Sequence, residues 1–591
     1  MKLKYFLVLL LLLFIEHLTF NITYATVRYV STTGSSTPPY TSWETAADSI
    51  QKCINLCVDG DTIYVANGVY KENLVINTAL SLIGSSMDST VIDGTGLADQ
   101  TLIFSINGHV ENFRILGKAF DVGYGIYAVS NLPTIIIRNC NISKTGRGIG
   151  VVGLVAENII MDNLRSGIIS LARDNTNNYI KSCIIILDRI DSQGIALSGP
   201  TYANFYIENN ILIFINSNNI ESGISIGAPR SVSIKNNLIT GFKNNIHLHV
   251  AIDSAKIQNN ILRNSNSDYS IWSMNDDPVI HNNILVKNEK GIYGWIVKAD
   301  YNLFWKNLLD YNNSNYGDSD IVADPMFVKD TIPTANGNYD FHLQKYSPAI
   351  DKGDPNILDV DGSRSDIGMY GGPFGETYTY QDLAPLAPRN LSAVVDSNYI
   401  LVKWNKNTEA DTAYYKVYRD TVSGFTIDST KLVSSPKDTF CVQVNPHNVR
   451  RYVYKVTCVD KQGNESKPSE ELIVNITSVF TDGYPMTISD YILYQNYPNP
   501  FNPSTKIGYQ LKSGGYVKLM VYDIKGELIS VLVNKEQNAG YYEVEFSSSS
   551  IKNPASSIKG IASGIYLYRI EVIGEGRIPV YTEMKKMLLL K

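Results

Sequence analysis

Apolar and polar residues alternate at every second position through short segments spread over residues 100 to 310, and each segment is broken in the same way. A strand runs into an Asn or a stand-in and out into a second strand. The central residues are Asn112, Asn139, Asn158, Ser182, Asn209, Asn236, Asn259 and Asn282, with a degenerate copy at Tyr301. Their spacings are 27, 19, 24, 27, 27, 23, 23 and 19 residues. A near-constant interval of this length with strand-forming content predicts stacked coils, a right-handed parallel β-helix in an all-β chain. Ile234-Lys235-Asn236-Asn237-Leu238 and Ile257-Gln258-Asn259-Asn260-Ile261 show the unit plainly. Period-two alternation buries one side of each strand, and the Asn between strands accepts the left-handed backbone of a sharp corner. Its amide both donates and accepts, so stacked Asn are expected to bond from coil to coil, and Asn236→Leu to strand its neighbours.

A second repeat lies half a coil out of phase: Gly125-Ile126, Gly148-Ile149, Gly167-Ile168, Gly194-Ile195, Gly223-Ile224, Asn245-Ile246, Ser270-Ile271 and Gly291-Ile292. Each Ile is expected to point into the core, which turns the residues one and three places later outward onto one parallel sheet. On the late coils those positions are Ser225, His247, His249, Trp272, Met274, Tyr293 and Trp295, whereas earlier coils offer Ile169, Leu171 and Ala196. Aromatic rings stack on the apolar faces of sugars. His247, His249, Trp272, Tyr293 and Trp295 are therefore the candidate ligand-binding residues, and a loop folded over them as a satellite core is the competing reading.

The chain has 591 residues, 44% of them hydrophobic, and a net charge of -6 without a basic stripe. That excludes a single ordinary domain and argues against a nucleic-acid partner. Lys2 and Lys4, an apolar run from Tyr5 to Ile15 and the end at Thr23-Tyr24-Ala25 read as a signal peptide over 1–25, with no transmembrane segment left in the mature protein. Six cysteines in an exported chain invite disulfides, but their spacing does not oblige them. Cys53 and Cys57 fall on the apolar face of an expected helix starting at a Thr41 to Glu44 capping box and carrying Trp43, Ala46, Ala47, Ile50 and Ile54. Helical neighbours four apart are too widely spaced for a relaxed bridge.

The stretch from Val27 to Gly94, with TSWETAADSIQ, DGDTIYVANGVYKENLVI and LSLIGS, resembles the amino-terminal cap and first coils of secreted parallel β-helix proteins. DPMFV at Asp324 to Val328 and YSPAIDKGDPN through DIGMYGG resemble their carboxy-terminal cap, so the likeness covers residues 26–375. This resemblance implies the pectate-lyase-like solenoid, whose members include pectate lyases, polygalacturonases, pectin esterases and alginate epimerases. The Asn-Thr-Asp, Gly-His-Gly and Arg-Ile-Lys motifs of polygalacturonases and the Asp-Pro-His-Glu of the epimerases are absent. If the chain is an enzyme, a polysaccharide lyase or glycoside hydrolase is expected, and Lys243, Asp276 and Asp277 are the candidate catalytic groups. Lys290, Lys298 and Asp253 are further charges on the same coils, and ordinary surface charge is the better account of any one of these.

Asp354, Asp359, Asp361 and Asp366 in GDPNILDVDGSRSDIG offer oxygen ligands suited to Ca²⁺, but the spacing is not that of an EF-hand. A turn-rich cap with Asp hydrogen-bonded to its own backbone explains them as well.

After Pro385 the pattern becomes that of antiparallel strands. YILVKWNKN, YYKVYRD and RRYVYKVTCVDKQGNES resemble a fibronectin type III β-sandwich over 385–476, with Trp404 in the core, Tyr452 as the tyrosine corner and Cys458 a buried thiol. A linker over 477–490 follows. YILYQNYPNPFNPSTKIGYQL, VKLMVYDIKGELISVLV, SGIYLYRIEV and TEMKKMLLLK resemble the carboxy-terminal sorting domain of type IX secretion cargo, a small β-sandwich over 491–591. That resemblance implies the type IX secretion machinery as a partner and an extracellular or surface-anchored location. The chain thus reads as a secreted protein that binds, and in one version processes, extracellular polysaccharide on its solenoid. The alternative is a non-catalytic adhesion or stalk protein.

Overall fold

The computed structural model describes residues 25–590 except 119–122, 130–133, 173–175, 190–192, 200–201, 216–220, 250–251, 267, 275–276, 295–297, 313–315, 332, 334–336, 397–398, 445–450, 477–489, 497–498, 549–560 and 575–578. The proposed signal peptide lies outside the described residues, apart from Ala25. Among them no helix is long and apolar enough to cross a membrane. The chain forms two compact units, Met1–Asn475 and Ile476–Lys591.

The first unit begins as a parallel β-helix with three strands per coil. One coil runs through Ser222–Gly227, Ser231–Lys235 and Leu238–Thr240 before the next opens at Asn244–Leu248. Strands of the first kind form an 11-stranded parallel sheet, and the other two kinds make up a 22-stranded one. The Ile of the Gly-Ile repeat stack in register: Ile126 on Ile149, then Ile168, Ile195, Ile224, Ile246, Ile271 and Ile292. All eight are fully buried. The glycines before them answer to close approach between coils, since a Cβ on Gly194 would sit 2.5 Å from the Gly223 carbonyl oxygen.

Every corner residue of the first repeat, from Asn112 to Tyr301, has a left-handed backbone, with φ between 49° and 63°. Of the corner side chains, Asn158 donates to Asn139 at 2.8 Å and Asn282 to Asn259 at 3.4 Å, but the continuous ladder is made on the later coils by the residue after the corner. The backbone amide of Cys183 donates to Asn210 Oδ1 at 2.9 Å, and the series passes through Asn210, Asn237, Asn260, Asn283 and Asn302 to Asp320. Each Asn Nδ2 returns to a carbonyl of the preceding coil, as Asn260 does to Ile234 at 3.0 Å. The alternation explains the shift: the corner residue itself projects outward, and the chain turns its successor into the core. Asn236 meets the next coil through its backbone amide, which donates to Gln258 O at 3.3 Å, and its side chain turns to the cap. Its Nδ2 donates to the carbonyls of Met369 and Gly371, at 2.9 and 2.6 Å.

Those carbonyls belong to the carboxy-terminal cap, which folds back along the solenoid's side. Asn259 donates to Asp366 O at 3.0 Å, and Asn282 Oδ1 accepts from the Asp354 amide at 2.7 Å. Beside this seam the outward Leu238, Ile261, Ile284 and Leu303 pack under Phe327, Phe341, Leu343 and Ile367. At the other end the helix is shorter than the apolar pattern implied, Ile50–Ile54, with Ser49 as its N-cap. Ala47 instead bridges Val30 in a strand-like contact, and Trp43 stays 45% exposed. Ala47 pairs with the first strand, and the carbonyls of Glu44, Thr45 and Ala46 accept from the amides of Ser35, Thr37 and Ser36, which takes the place of further helical turns. All six cysteines are free.

The solenoid leads into two antiparallel sheets. One holds Ser392–Val395, Tyr399–Lys403 and Phe440–Val444, and the other Leu432–Ser434, Thr412–Asp420, Arg451–Asp460 and Leu472–Asn475. Trp404 and Cys458 are buried between them as expected. The tyrosine reaching back to the chain is Tyr415, whose hydroxyl accepts the Asn407 amide at 2.8 Å, while Tyr452 lies under the Arg419 guanidinium. The second unit is a further sandwich of three and four strands. Its last strand, Pro579–Leu589, is flanked at its free edge by Phe501, whose amide donates to Leu588 O at 2.9 Å. Prolines on either side of Phe501 stop this segment from continuing as an open edge.

Candidate functional site

The 11-stranded sheet presents one outward side chain per coil immediately after each core Ile. In register these are Tyr127, Gly150, Ile169, Ala196, Ser225, His247, Trp272, Tyr293 and Asn312. Parallel strands stand about 4.8 Å apart, so this column is a flat strip along the solenoid axis. Its middle is small or aliphatic and its late end is aromatic.

At that end the rings touch. His247 stacks on Trp272 with centroids 4.6 Å apart and planes 7° from parallel, and His249 packs on His247 at 4.0 Å. Tyr293 meets Trp272 edge-on at 6.3 Å. Tyr269, two residues before its core Ile, has the parity of an inward residue but is only half-buried, because Ser270 and Ile271 are both buried and break the alternation, and it joins them 4.7 Å from Tyr293. Its ring carries the Lys290 ammonium at 5.0 Å, and its hydroxyl accepts from Asn312 at 2.7 Å. The sequence carries no signal for it, since strict alternation from Ile271 would turn Tyr269 inward. His247, Trp272 and Tyr293 are half-buried. Neither a wholly exposed patch nor a satellite core describes them.

Burial, the neighbouring His249 and the Lys243 charge push the His247 imidazole down to about 4, and burial lowers His249 as well. Both rings are thus neutral at physiological pH. Ser225 Oγ lies 3.1 Å from His249 Nε2. The buried His247 Nε2 and Trp272 Nε1 have no hydrogen-bond partner among the described residues. A smaller aromatic cluster sits at the early end, where the Arg147 guanidinium donates to the Tyr124 hydroxyl at 2.9 Å beside Tyr127. Gly150 leaves room for it, because a Cβ there would fall 2.3 Å from the Tyr124 ring.

The candidate catalytic charges are not brought together. Lys243 pairs with Asp268 at 3.9 Å, and Asp277 pairs with Lys298 at 2.6 Å. Asp276 and Trp295 lie outside the described residues.

The four aspartates of the cap do not form a calcium cage. Asp359 accepts the amides of Asp366 and Gly372, and Asp366 accepts the Asp351 amide at 2.9 Å and the Tyr380 hydroxyl at 2.8 Å. Asp354 pairs with His281 at 3.1 Å, and Asp361 accepts from Ser363. Among the described residues no three His, Cys, Asp or Glu side chains converge as a metal site. The donors are spent on the cap's own turns and do not fit the ion.

No protein-family model matches the chain, and no curated protein matches it. Among solved structures, an Fn3-like protein from Clostridium thermocellum is 30% identical over 15% of this chain and 92% of its own, with a TM-score of 0.14. Pectate lyase Pel9A is 16% identical over 59% of this chain and 97% of its own, with a TM-score of 0.34. Dimeric latent PorU from Porphyromonas gingivalis is 16% identical over 35% of this chain and 20% of its own, with a TM-score of 0.19.

Proposed function

We propose that the protein is exported and binds extracellular polysaccharide along the outward strip of its 11-stranded sheet. The observation that carries this is the row His247, Trp272 and Tyr293 on successive coils, joined by Tyr269. Sugar rings present an apolar face every few ångströms along a chain, and half-buried aromatics on a rigid sheet meet them with little ordering cost. The resemblance of residues 491–591 to a type IX sorting domain and of 1–25 to a signal peptide places the ligand outside the cell in this reading.

Binding without turnover is the form the site supports best, because Lys243 and Asp277 are each held by an opposite charge. The test is affinity electrophoresis and calorimetry of the full chain against a panel of soluble polysaccharides, following ultraviolet absorbance and reducing ends. At least one polysaccharide is expected to be retained, and Trp272→Ala to abolish retention without altering the β-sheet circular dichroism. New double bonds would make the protein a lyase and new reducing ends alone a hydrolase. Retention by a folded Trp272→Ala variant would put the ligand elsewhere, and no retention of any polysaccharide would favour the stalk.

A further inference from the structure

The position two residues before each core Ile is occupied, coil by coil, by Tyr124, Arg147, Ser166, Gln193, Ser222, Asn244, Tyr269 and Lys290. A tyrosine followed on the next coil by a cation therefore occurs twice, with neutral residues between. Tyr124–Ala128 and Tyr269–Ser273 share one burial pattern, in which the Tyr and the residue after the core Ile, Tyr127 or Trp272, are half-buried and the others are buried. The two rings of each strand are neighbours, with centroids 5.1 Å apart for Tyr124 and Tyr127 and 6.3 Å for Tyr269 and Trp272. Arg147 and Lys290 lie in register with the two tyrosines, and their charges sit over the Tyr rings at 5.2 and 5.0 Å. Lys118, Lys243 and Lys298 are paired with Asp99, Asp268 and Asp277. Arg147 and Lys290 hold no carboxylate among the described residues.

We propose that the polysaccharide bound along this strip is acidic and that one chain is gripped at two points, by Arg147 beside Tyr124 and by Lys290 beside Tyr269. Both features rest on the strip being a polysaccharide site. A cation that no protein carboxylate neutralises is open to an anion, and carboxylate and sulfate groups on sugars both supply one. The guanidinium spends one N–H on the Tyr124 hydroxyl, at 2.9 Å, and keeps the rest of its planar fork for an oxyanion. The Lys290 ammonium acts as a point charge. The ring under each cation holds it in place by cation–π attraction, so less ordering is left to binding. The two tyrosines lie six coils apart, about 29 Å along the axis at about 4.8 Å per strand. Between them the strip offers Ile169, Ala196 and Ser225, none of them charged. A disaccharide cannot bridge that distance and a polymer can, and two linked contacts raise affinity well above either alone.

The full chain is tested by calorimetry with soluble polymers of one backbone, neutral hydroxyethyl cellulose, carboxymethyl cellulose and cellulose sulfate, and with disaccharides carrying the same acid groups. At least one acidic polymer is expected to bind tenfold more tightly than the neutral one, and to weaken with added salt. Whichever acid binds better is the group that Arg147 and Lys290 read. Arg147→Gln and Lys290→Gln are each expected to weaken the acidic polymer at least tenfold but its disaccharide by no more than about threefold, because a disaccharide uses one grip at a time. Arg147→Lys, which keeps the charge, is expected to restore most of the polymer's affinity. Folding of each variant is checked by circular dichroism and melting temperature. Equal binding of the neutral polymer overturns the proposal and leaves the strip standing as a polysaccharide site. Polymer and disaccharide weakened alike, or polymer binding unchanged in both folded Gln variants, also overturns it. Retention of none of these polymers overturns it too, and the strip is then judged by the wider polysaccharide panel.

Discussion

A single asparagine illustrates how position decides energetics in this solenoid. Asn260 is fully buried and accepts from the Asn237 backbone amide at 3.0 Å and side-chain amide at 2.9 Å, while donating to Ile234 O. Replacing it by Leu leaves several buried groups unpaired, each at about 1 to 3 kcal/mol. Asn260→Leu is therefore expected to lower the urea midpoint sharply. Asn236→Leu, one coil earlier and one residue before its ladder position, is expected to affect chiefly the cap's docking. Equal losses in a denaturation series would contradict that division.

The cap contains a second residue whose behaviour follows from burial. Burial raises Asp366 to about 6, although the Asp351 amide and the Tyr380 hydroxyl both stabilise its charged form. An unfolded Asp loses its proton near pH 3.9, so between about pH 4 and 6 the folded state holds the extra proton. Stability from this group is present at low pH and is lost as pH rises through about 6. Asp366→Asn keeps an acceptor for the Asp351 amide without the charge. Its melting temperature is expected to exceed the parent's at pH 8 and to fall to or below it at pH 4.

Among the elements, the short strands of the 11-stranded sheet depend on tight entry from the preceding corner. A methyl group on Gly194 would meet the Gly223 carbonyl oxygen at 2.5 Å and the Leu212 side chain at 2.8 Å. Because one contact is backbone, the coil spacing itself must yield, and overpacking of this kind costs about 1 to 3 kcal/mol. Gly194→Ala is expected to lower the melting temperature, whereas Gly227→Ala, whose new methyl would only touch Ser198 at 3.4 Å, is expected to leave it nearly unchanged. The cap is an element too. Since its aspartates are occupied by amides and hydroxyls, chelation of calcium is expected to leave the melting curve where it was, and a drop on adding EDTA would show an ion in the cap.

At the scale of the whole molecule, two modules of antiparallel sheets follow the solenoid along the chain. Residues 491–591 resemble an export signal, so a chain ending at Asp490 is expected to reach the periplasm but not the medium, as fractionation and immunoblotting would show. Normal surface levels of the truncated chain would reject that assignment.

Much of this protein was determined by period alone. Alternation at two, interrupted at a near-constant interval, required stacked parallel coils. It also marked the left-handed corners and the Ile row, because a residue's direction on a strand follows from its parity. The same parity placed His247, Trp272 and Tyr293 on adjacent rungs. Only the tertiary structure decided which Asn of each pair joins the ladder inside the solenoid and which is buried against the cap, since that depends on how the chain turns after the corner. It alone placed left-handed corners at Lys287 and Lys306, residue types that carry no such signal. The cap's path back over Asn236, Asn259 and Asn282 brings together residues more than 70 positions apart, as in Asp354 on Asn282. Its aspartates looked like ion ligands because local spacing cannot say which amides will arrive from elsewhere in the chain, and in the folded cap those amides arrive.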